Sequence, residues 1–262
     1  MEGRTMVSIY DWFGYEVPIR ERYKLIKEVG FDAVLLWWSD GFGRGAGYRE
    51  GVKLARSAGL FIENIHTPVQ QQNDLSLDNL AGEALLNCYL QCIKDCSEFD
   101  IPTMVVHLPN DQYPLNELGM NRVNKITEIA EYYKIKVAIE NLFNVSNVAC
   151  VLDSIESGQI GFCYDCCHHA NNETAGDLLV KYGNRLMALH LHDNGGEKRQ
   201  HQLPMDGNVD WIDVMRKISE AGYKGATSLE PMNWDYENIS IEEFLLKAFG
   251  KVKLLEKMRF EL

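Results

Sequence analysis

The chain contains 262 residues, of which 46% are hydrophobic and 24% are charged, and its formal net charge is −12. The composition is typical of a globular protein with a large core, whereas the acidic balance and the lack of a dense Lys/Arg run argue against nucleic acid as a partner. No stretch is apolar for long enough to form a signal peptide or a membrane span, and the seven cysteines follow no disulfide spacing. We therefore expect a cytoplasmic protein with reduced thiols and no membrane contact.

One unit recurs along the chain, and it consists of an amphipathic helical stretch, a turn and a short apolar run rich in β-branched residues. It follows an opening strand, TMVSIYD, and precedes a closing helix, SIEEFLLKAFGKVKLLEKM. The units in chain order are RYKLIKEVG with FDAVLLWW, GVKLARSAG with LFIENIHT, residues 75–99 with TMVVHLP, VNKITEIAEYYKI with KVAIENL, VACVLDSIESG with QIGFCYD, AGDLLVKYGNR with LMALHLHD, and WIDVMRKISEAGYKG with ATSLEP.

This strict alternation predicts eight strands and eight helices. Nearly continuous apolar strands that alternate with helices are typical of a parallel sheet covered by helices. Eight such units in a chain of this length favour a closed (β/α)8 TIM barrel, an α/β fold, as a single domain over residues 1–262. A doubly wound open sheet is the alternative, but it usually opens with a glycine fingerprint.

Polar, ionisable residues follow the apolar runs of six successive strands. In a barrel these carboxyl ends share one mouth. Burying many ionisable groups beside apolar runs is costly unless they pair or bind a cation, and mixed carboxylate and imidazole side chains suit a divalent metal. The residues are Glu63 and His66 after strand 3, His107 after strand 4, Glu140 after strand 5, Asp165 after strand 6, His190, His192 and Asp193 after strand 7, and Glu230 after strand 8.

The stretch YDCCHH, residues 164–169, permits three interpretations: a zinc knot, a redox site, or a strand end that delivers one carboxylate ligand. Adjacent residues rarely bind the same ion, and a zinc knot requires CxxC spacing. We therefore interpret Asp165 as the ligand, His168 as a residue near the site, and the two cysteines at the start of the following loop as packing residues. A reactive thiol stays an alternative.

Four of these motifs, VAIEN, YDCCH, HLHD and SLEP, resemble the xylose isomerase-like barrel superfamily of sugar and sugar-phosphate isomerases and epimerases. The superfamily also contains the endonuclease IV-type apurinic enzymes. The resemblance covers essentially the whole chain. It implies that Glu140, Asp165, His190 and Glu230 hold one divalent ion, which could be Mn²⁺, Mg²⁺, Co²⁺ or Zn²⁺.

The resemblance to the ketose 3-epimerase branch implies a mechanism in which Glu140 and Glu230 serve as acid and base on opposite faces of a sugar or polyol. One glutamate would remove the proton on the carbon next to the carbonyl, which produces an enediolate intermediate. By the same resemblance His168 would contact the substrate, and we expect Trp12 to supply an apolar wall. The arginine with which this branch grips its substrate is replaced by Gly196 in this chain, and the nearby Lys198 or Arg199 could substitute.

Three other functions stay open. His66 and His107, which we expect to contact a sugar, match zinc-binding positions of the apurinic endonucleases, as His168 does. Those enzymes also have an Asp-x-His pair, in which His201 is retained here but Arg199 replaces the aspartate. An inosose dehydratase-like lyase would use the same metal ligands, and a non-catalytic barrel would bind a sugar without turnover. The sequence also permits a homo-oligomer.

Overall fold

Eight parallel strands form the centre of the molecule in a computed structural model that describes residues 6–40, 47–69, 71–110, 113–142, 145–170, 177–196 and 200–261. The strands are β1 (Val7–Tyr10), β2 (Ala33–Trp37), β3 (Phe61–His66), β4 (Thr103–Val106), β5 (Lys136–Glu140), β6 (Ile160–Asp165), β7 (Leu186–His190) and β8 (Thr227–Leu229).

The strands alternate with helices, and the described residues contain nine α-helices. Among these residues no helix is long and apolar enough to cross a lipid bilayer. The helices are α1 (Ile19–Val29), α2 (Tyr48–Ser57), α3 (Leu80–Glu98), α4 (Glu117–Tyr133), α5 (Val145–Ser154), α6 (Cys166–Ala170), α7 (Leu178–Tyr182), α8 (Trp211–Glu220) and α9 (Ile241–Glu261).

The sheet closes on itself. Its hydrogen-bonded order runs from β7 down to β1 and then to β8. The two ends of that order meet just past the strands, where the Leu191 amide donates to the Ser228 carbonyl at 3.0 Å and the Glu230 amide donates to the Leu191 carbonyl at 3.0 Å. The predicted single (β/α)8 barrel is therefore confirmed, and the open doubly wound sheet is excluded.

The outer helices pack onto the barrel through apolar faces with helical spacing. Helix α8 is an example, because the Asp210 side chain accepts a hydrogen bond from the Asp213 amide at 3.1 Å and so caps its first turn. Residues three or four positions apart share one helix face, which here is buried against the sheet. Its buried residues are Trp211, Val214, Met215 and Ile218.

Glu63 lies in the middle of β3 rather than at its end. The pairing of β2 with β3 skips this residue, since Val34 pairs with Ile62 and Leu35 pairs with Asn64, so Glu63 occupies a β-bulge. Its carboxylate accepts a hydrogen bond from the Ser228 hydroxyl and lines a cavity at the opposite, amino-terminal end of the barrel. The expectation that Glu63 stands at the mouth is therefore wrong, and His66 alone represents β3 there.

Candidate metal centre and active site

The carboxyl ends of the strands bring the predicted residues together at one mouth. His66, Glu140, Asp165 and His190 are each the last residue of a strand, and His107 and Glu230 follow β4 and β8 by one residue. Parallel pairing sets Asp165 directly beside His190. The predicted ligands are all buried, with exposed fractions of 0% for Asp165 and His190, 3% for Glu140 and 5% for Glu230.

Glu140 is the most crowded carboxylate of the mouth. Its Oε2 atom lies 3.0 Å from His107 Nε2, 3.1 Å from His190 Nδ1 and 3.3 Å from His66 Nε2. Burial alone would raise the pKa of Glu140, but the neighbouring His107 and His190 outweigh it and hold this pKa well below its usual range. Glu140 is therefore an ionised carboxylate beside three imidazoles.

Glu230 is the second carboxylate that approaches His190. Its Oε2 atom is 3.4 Å from His190 Nδ1, the same nitrogen that lies near Glu140. Burial raises the pKa of Glu230, although His190 opposes this shift. The two glutamates thus approach one imidazole nitrogen and have pKa values displaced in opposite directions, which is the pattern expected of a base and an acid.

Asp165 is held by the turn that follows it. Its Oδ1 atom accepts hydrogen bonds from the amides of Cys167 and His168, both at 2.8 Å. Its Oδ2 atom lies 3.0 Å from His192 Nε2 and 3.6 Å from His168 Nε2. Burial alone would raise the pKa of Asp165, but His168 and His192 outweigh burial and lower it. One carboxylate oxygen is therefore committed to the backbone, and the other faces imidazoles.

His168 connects Asp165 to Glu140. Its Nε2 atom lies 3.9 Å from Glu140 Oε1 in addition to its approach to Asp165, and its side chain is 18% exposed. An imidazole that touches both carboxylates and reaches solvent is placed where it can meet a ligand entering the mouth. The structure thus brings together the predicted residues His66, His107, Glu140, Asp165, His168, His190 and Glu230.

Aromatic side chains form part of the rim. Trp12 is half-buried and packs with Trp37 against a small apolar cluster that contains Tyr10 and Met232. The Trp37 ring centre lies 5.7 Å from that of His66, so this cluster adjoins the polar centre. Arg199, the predicted substitute for the substrate-gripping arginine, lies outside the described residues, as Lys198 does.

His192 is predicted at the mouth without a ligand or substrate role, and His201 is named only for the endonuclease alternative. The two rings stack with their centroids 4.0 Å apart and their planes 11° apart. His201 Nδ1 lies 3.0 Å from the Glu230 carbonyl, and the His201 ring meets Trp234 edge-on at 5.3 Å. The signal for His192 was its place two residues after His190 in HLHD, because the side chain at that position returns to the same face. The pairing with His201 joins segments separated along the chain and has no local sequence signal.

The donor set fits a divalent cation. His190 is fully buried, and neither of its ring nitrogens has a hydrogen-bond partner among the described residues. Potential ligand atoms lie within 4.8 Å of one another in several triads, among them His66 with His107 and Glu140, and His66 with His190 and Glu230. A buried group of carboxylates and imidazoles with unpaired nitrogens is what a divalent ion requires.

Several characterised and uncharacterised proteins are similar to this chain in sequence. A protein of Methanocaldococcus jannaschii, named uncharacterized protein MJ1311, is 29% identical over 221 residues, or 75% of this chain and 74% of its own. A probable endonuclease 4 of Mycoplasma capricolum is 26% identical over 71% of this chain and 74% of its own. An inosose isomerase of Halalkalibacterium halodurans is 26% identical over 49% of this chain and 51% of its own.

The fold also occurs in solved structures. A D-tagatose 3-epimerase-like protein superposes with a TM-score of 0.78 over 98% of this chain and 99% of its own, at 21% identity. The sequence profile of the family described as xylose isomerase-like TIM barrel matches residues 23–244. With its closed barrel and this match over most of its length, the chain belongs to the xylose isomerase-like TIM barrel family.

Proposed function

We propose that this protein is a divalent-metal-dependent isomerase or epimerase of a sugar, sugar phosphate or related polyol. The observation that carries the proposal is the fully buried His190, whose Nδ1 atom lies 3.1 Å from a carboxylate oxygen of Glu140 and 3.4 Å from one of Glu230. The family membership supports it, as do the relative named inosose isomerase and the structural neighbour named after D-tagatose 3-epimerase.

Glu140, Asp165, His190 and Glu230 would hold one ion in this proposal. Oxygen and nitrogen donors of this kind suit Mn²⁺, Mg²⁺, Co²⁺ or Zn²⁺. When bound, the ion would supply Lewis-acid stabilisation of the negative charge that develops on the substrate oxygens. The Asp165 turn favours this role, because backbone amides bind Oδ1 and leave Oδ2 for another partner.

Glu140 and Glu230 would move the proton. Glu140 is held ionised by its imidazole neighbours and is therefore suited to remove a proton from the carbon next to a carbonyl. Glu230, whose pKa is raised by burial in the ion-free chain, is suited to return a proton from the other side. His190 would contact both carboxylates, and His168 would orient Asp165 and contact the substrate.

The remaining predicted residues would shape the substrate pocket. His66 and His107 lie against Glu140 and could donate hydrogen bonds to substrate hydroxyl groups from the side of β3 and β4. Trp12 would cover the apolar face of the sugar ring from the rim. We propose that Arg199 binds the substrate in place of the arginine that the ketose 3-epimerase branch uses.

A second candidate function is phosphodiester cleavage at abasic DNA. It is favoured by His66, His107 and Glu140, which lie close enough together to bind a further ion, and by His201 at the edge of the centre. The relative named probable endonuclease 4 points in the same direction. The net charge of −12 argues against it, because DNA binding depends on cationic phosphate contacts. Arg199 also argues against it, because it stands where the resemblance to the apurinic endonucleases requires an aspartate.

The proposal predicts that Glu140→Gln lowers kcat/KM by roughly 10²–10⁴-fold, the usual contribution of a general base. The amide keeps the shape of the side chain but can neither accept the proton nor bind the ion as a carboxylate does. The assay is a panel of ketoses, inososes and abasic duplex DNA, each supplied with Mn²⁺, Mg²⁺, Co²⁺ or Zn²⁺. Glu50→Gln on the exposed face of α2 is the matched control and should match wild type.

The panel separates the candidate functions. Turnover of a ketose or inosose that is lost in Glu140→Gln supports the proposal. Nicking of abasic DNA without sugar turnover would support the nuclease instead. Full sugar turnover by Glu140→Gln would contradict the role of this residue.

A further inference from the structure

A second group of donor atoms includes Asp165 and two residues that the first site does not use. Asp165, Cys167 and His192 offer one carboxylate oxygen, one thiol sulfur and one imidazole nitrogen, and these ligand atoms all lie within 4.8 Å of one another. All three residues are at most 3% exposed. Neither the proposed acid and base nor the proposed ion of the first site uses Cys167 or His192.

The geometry of this group is set by two short elements. His192 Nε2 lies 3.0 Å from Asp165 Oδ2, which is a separation that two ligands of one ion commonly have. The Asp165 carboxylate accepts a hydrogen bond from the Cys167 amide in the first turn of helix α6. This turn brings the Cys167 thiol close to the Asp165 side chain. The Cys167 thiol donates a hydrogen bond to the His192 backbone carbonyl at 2.9 Å, which holds the sulfur beside the residue that carries the imidazole.

Simple packing accounts poorly for these side chains. His192 is 2% exposed, and its Nδ1 atom is buried without a hydrogen-bond partner among the described residues. A buried imidazole, carboxylate and thiol side by side are costly to desolvate, and apolar side chains of similar size would fill the space without that cost. Within the group the His192 Nε2 atom meets Asp165 and the Cys167 thiol donates to the His192 carbonyl, and a cation bound between the three side chains would replace both contacts.

We propose that Asp165, Cys167 and His192 form a second cation site, which selects a thiophilic divalent ion such as Zn²⁺, Co²⁺ or Cd²⁺ over Mg²⁺ or Mn²⁺. Thiolate and imidazole donors favour the former ions, whereas Mg²⁺ and Mn²⁺ prefer oxygen. On binding, the Cys167 thiol would release its proton to solvent and the sulfur would bind the ion as a thiolate. Three protein ligands leave one position of a tetrahedral ion open.

The second site adds to the proposed function and rests on it only in sharing Asp165. If both sites are filled, Asp165 bridges two ions of different character, one held by three carboxylates and an imidazole and one held partly by sulfur. The metal that supports turnover would then differ from the metal that the protein retains most tightly.

The test is a Co²⁺ titration of the metal-free protein followed by absorbance and by bound metal per chain. Wild type should develop a near-ultraviolet thiolate-to-cobalt charge-transfer band, and Mg²⁺ in excess should not displace the ion that causes it. Cys167→Ser should lose the band and bind one equivalent fewer than wild type. Cys96→Ser, a buried cysteine of α3 outside this cluster, is the matched control and should keep both.

Each other outcome overturns the proposal. A wild-type protein without the band has no thiolate ligand, and this result does not depend on whether any variant folds. A band that survives Cys167→Ser, or that disappears in Cys163→Ser or Cys166→Ser instead, assigns the sulfur to a different residue. Glu230→Gln distinguishes the two sites, since it should weaken the first ion and leave the band, so that the failure of one proposal does not imply failure of the other.

Discussion

The Glu140 carboxylate at the barrel mouth is paired with imidazole groups. Three imidazole nitrogens lie within 3.3 Å of one of its oxygens, and Glu230 approaches one of these nitrogens, His190 Nδ1. Removing an imidazole or a carboxylate would leave the charge of its buried partner unpaired, which typically costs about 3–5 kcal/mol of folding free energy. The same balance explains why the site can accept a cation, since the ion replaces imidazole as the partner of the carboxylates.

The cysteines of α3 provide a pH-dependent prediction at the same scale. A hydrogen bond with Cys92 lowers the pKa of the half-buried Cys88 thiol to about 7, whereas the pKa of the buried Cys92 is raised well above its usual value. The thiolate is the reactive form, so alkylation of Cys88 by iodoacetamide should rise as the pH increases through about 7.

Peptide mapping of the native protein after brief alkylation at a series of pH values measures this. Cys88→Ser should remove the labelled peptide signal, and Cys96, which is fully buried, should stay unlabelled. A midpoint for Cys88 near the ordinary thiol value of about 8.5 would contradict the prediction.

The sequence predicts that a residue lies at the barrel mouth when that residue directly follows one of the repeated apolar runs. Asp165 and His190 end apolar runs, and the structure sets them side by side. Their partners could not be predicted in this way, because His192 meets His201 only through the path of the intervening segment. Local patterns carry periodicity but do not specify which distant side chains meet.

At the scale of elements, the loop after β1 depends on one buried arginine. The Arg22 guanidinium of α1 donates to the carbonyls of Asp11 at 3.0 Å, Tyr15 at 3.2 Å and Val17 at 3.1 Å. It also lies 5.3 Å from the centre of the Trp12 ring. Arg22 therefore shapes the segment that presents Trp12 to the mouth.

Arg22→Met should lower the free energy of unfolding by roughly 2–4 kcal/mol, because buried carbonyl groups lose a charged donor. Urea denaturation followed by circular dichroism measures the change. Arg20→Met on the exposed side of the same helix is the control and should change stability by less than about 0.5 kcal/mol. Equal effects of the two substitutions would show that the carbonyl contacts of Arg22 contribute nothing.

The predicted strands are confirmed as elements, but two local features differ from expectation. Cys166 and Cys167 begin a short helix rather than a loop, because Asp165 caps the amides that follow it. Glu63 points into the barrel because β3 contains a bulge at that residue. The helix start depends on two amide hydrogen bonds to Asp165, and the position of Glu63 depends on a register shift between two strands. The periodicity of residue types encodes neither.

At the scale of the whole molecule, closure of the barrel is what gathers the site. The residues proposed to bind the ion come from β5, β6, β7 and the segment after β8, which are far apart in sequence and adjacent only in a closed sheet. An ion shared by these strands would bind the folded state and not the unfolded chain. It should therefore stabilise the protein as a whole.

Adding Mn²⁺ or Co²⁺ at about 100 times its dissociation constant should raise the Tm by about 5–10 °C. Differential scanning fluorimetry of protein stripped with a chelator measures the shift. Glu230→Gln should reduce it, and Glu50→Gln should leave it unchanged. An equal shift in wild type and Glu230→Gln would place the stabilising ion elsewhere.

In the proposed function, four side chains at the ends of strands β5 to β8 bind one cation. Anomalous diffraction from a crystal soaked in Mn²⁺ tests it most directly, since it locates the ion without reference to activity. We expect an anomalous peak at the mouth of the barrel, at about 2.0–2.5 Å from ligand atoms of Glu140, Asp165, His190 and Glu230. A fully soaked crystal with no peak among these residues, or with a peak held by other side chains alone, would contradict it.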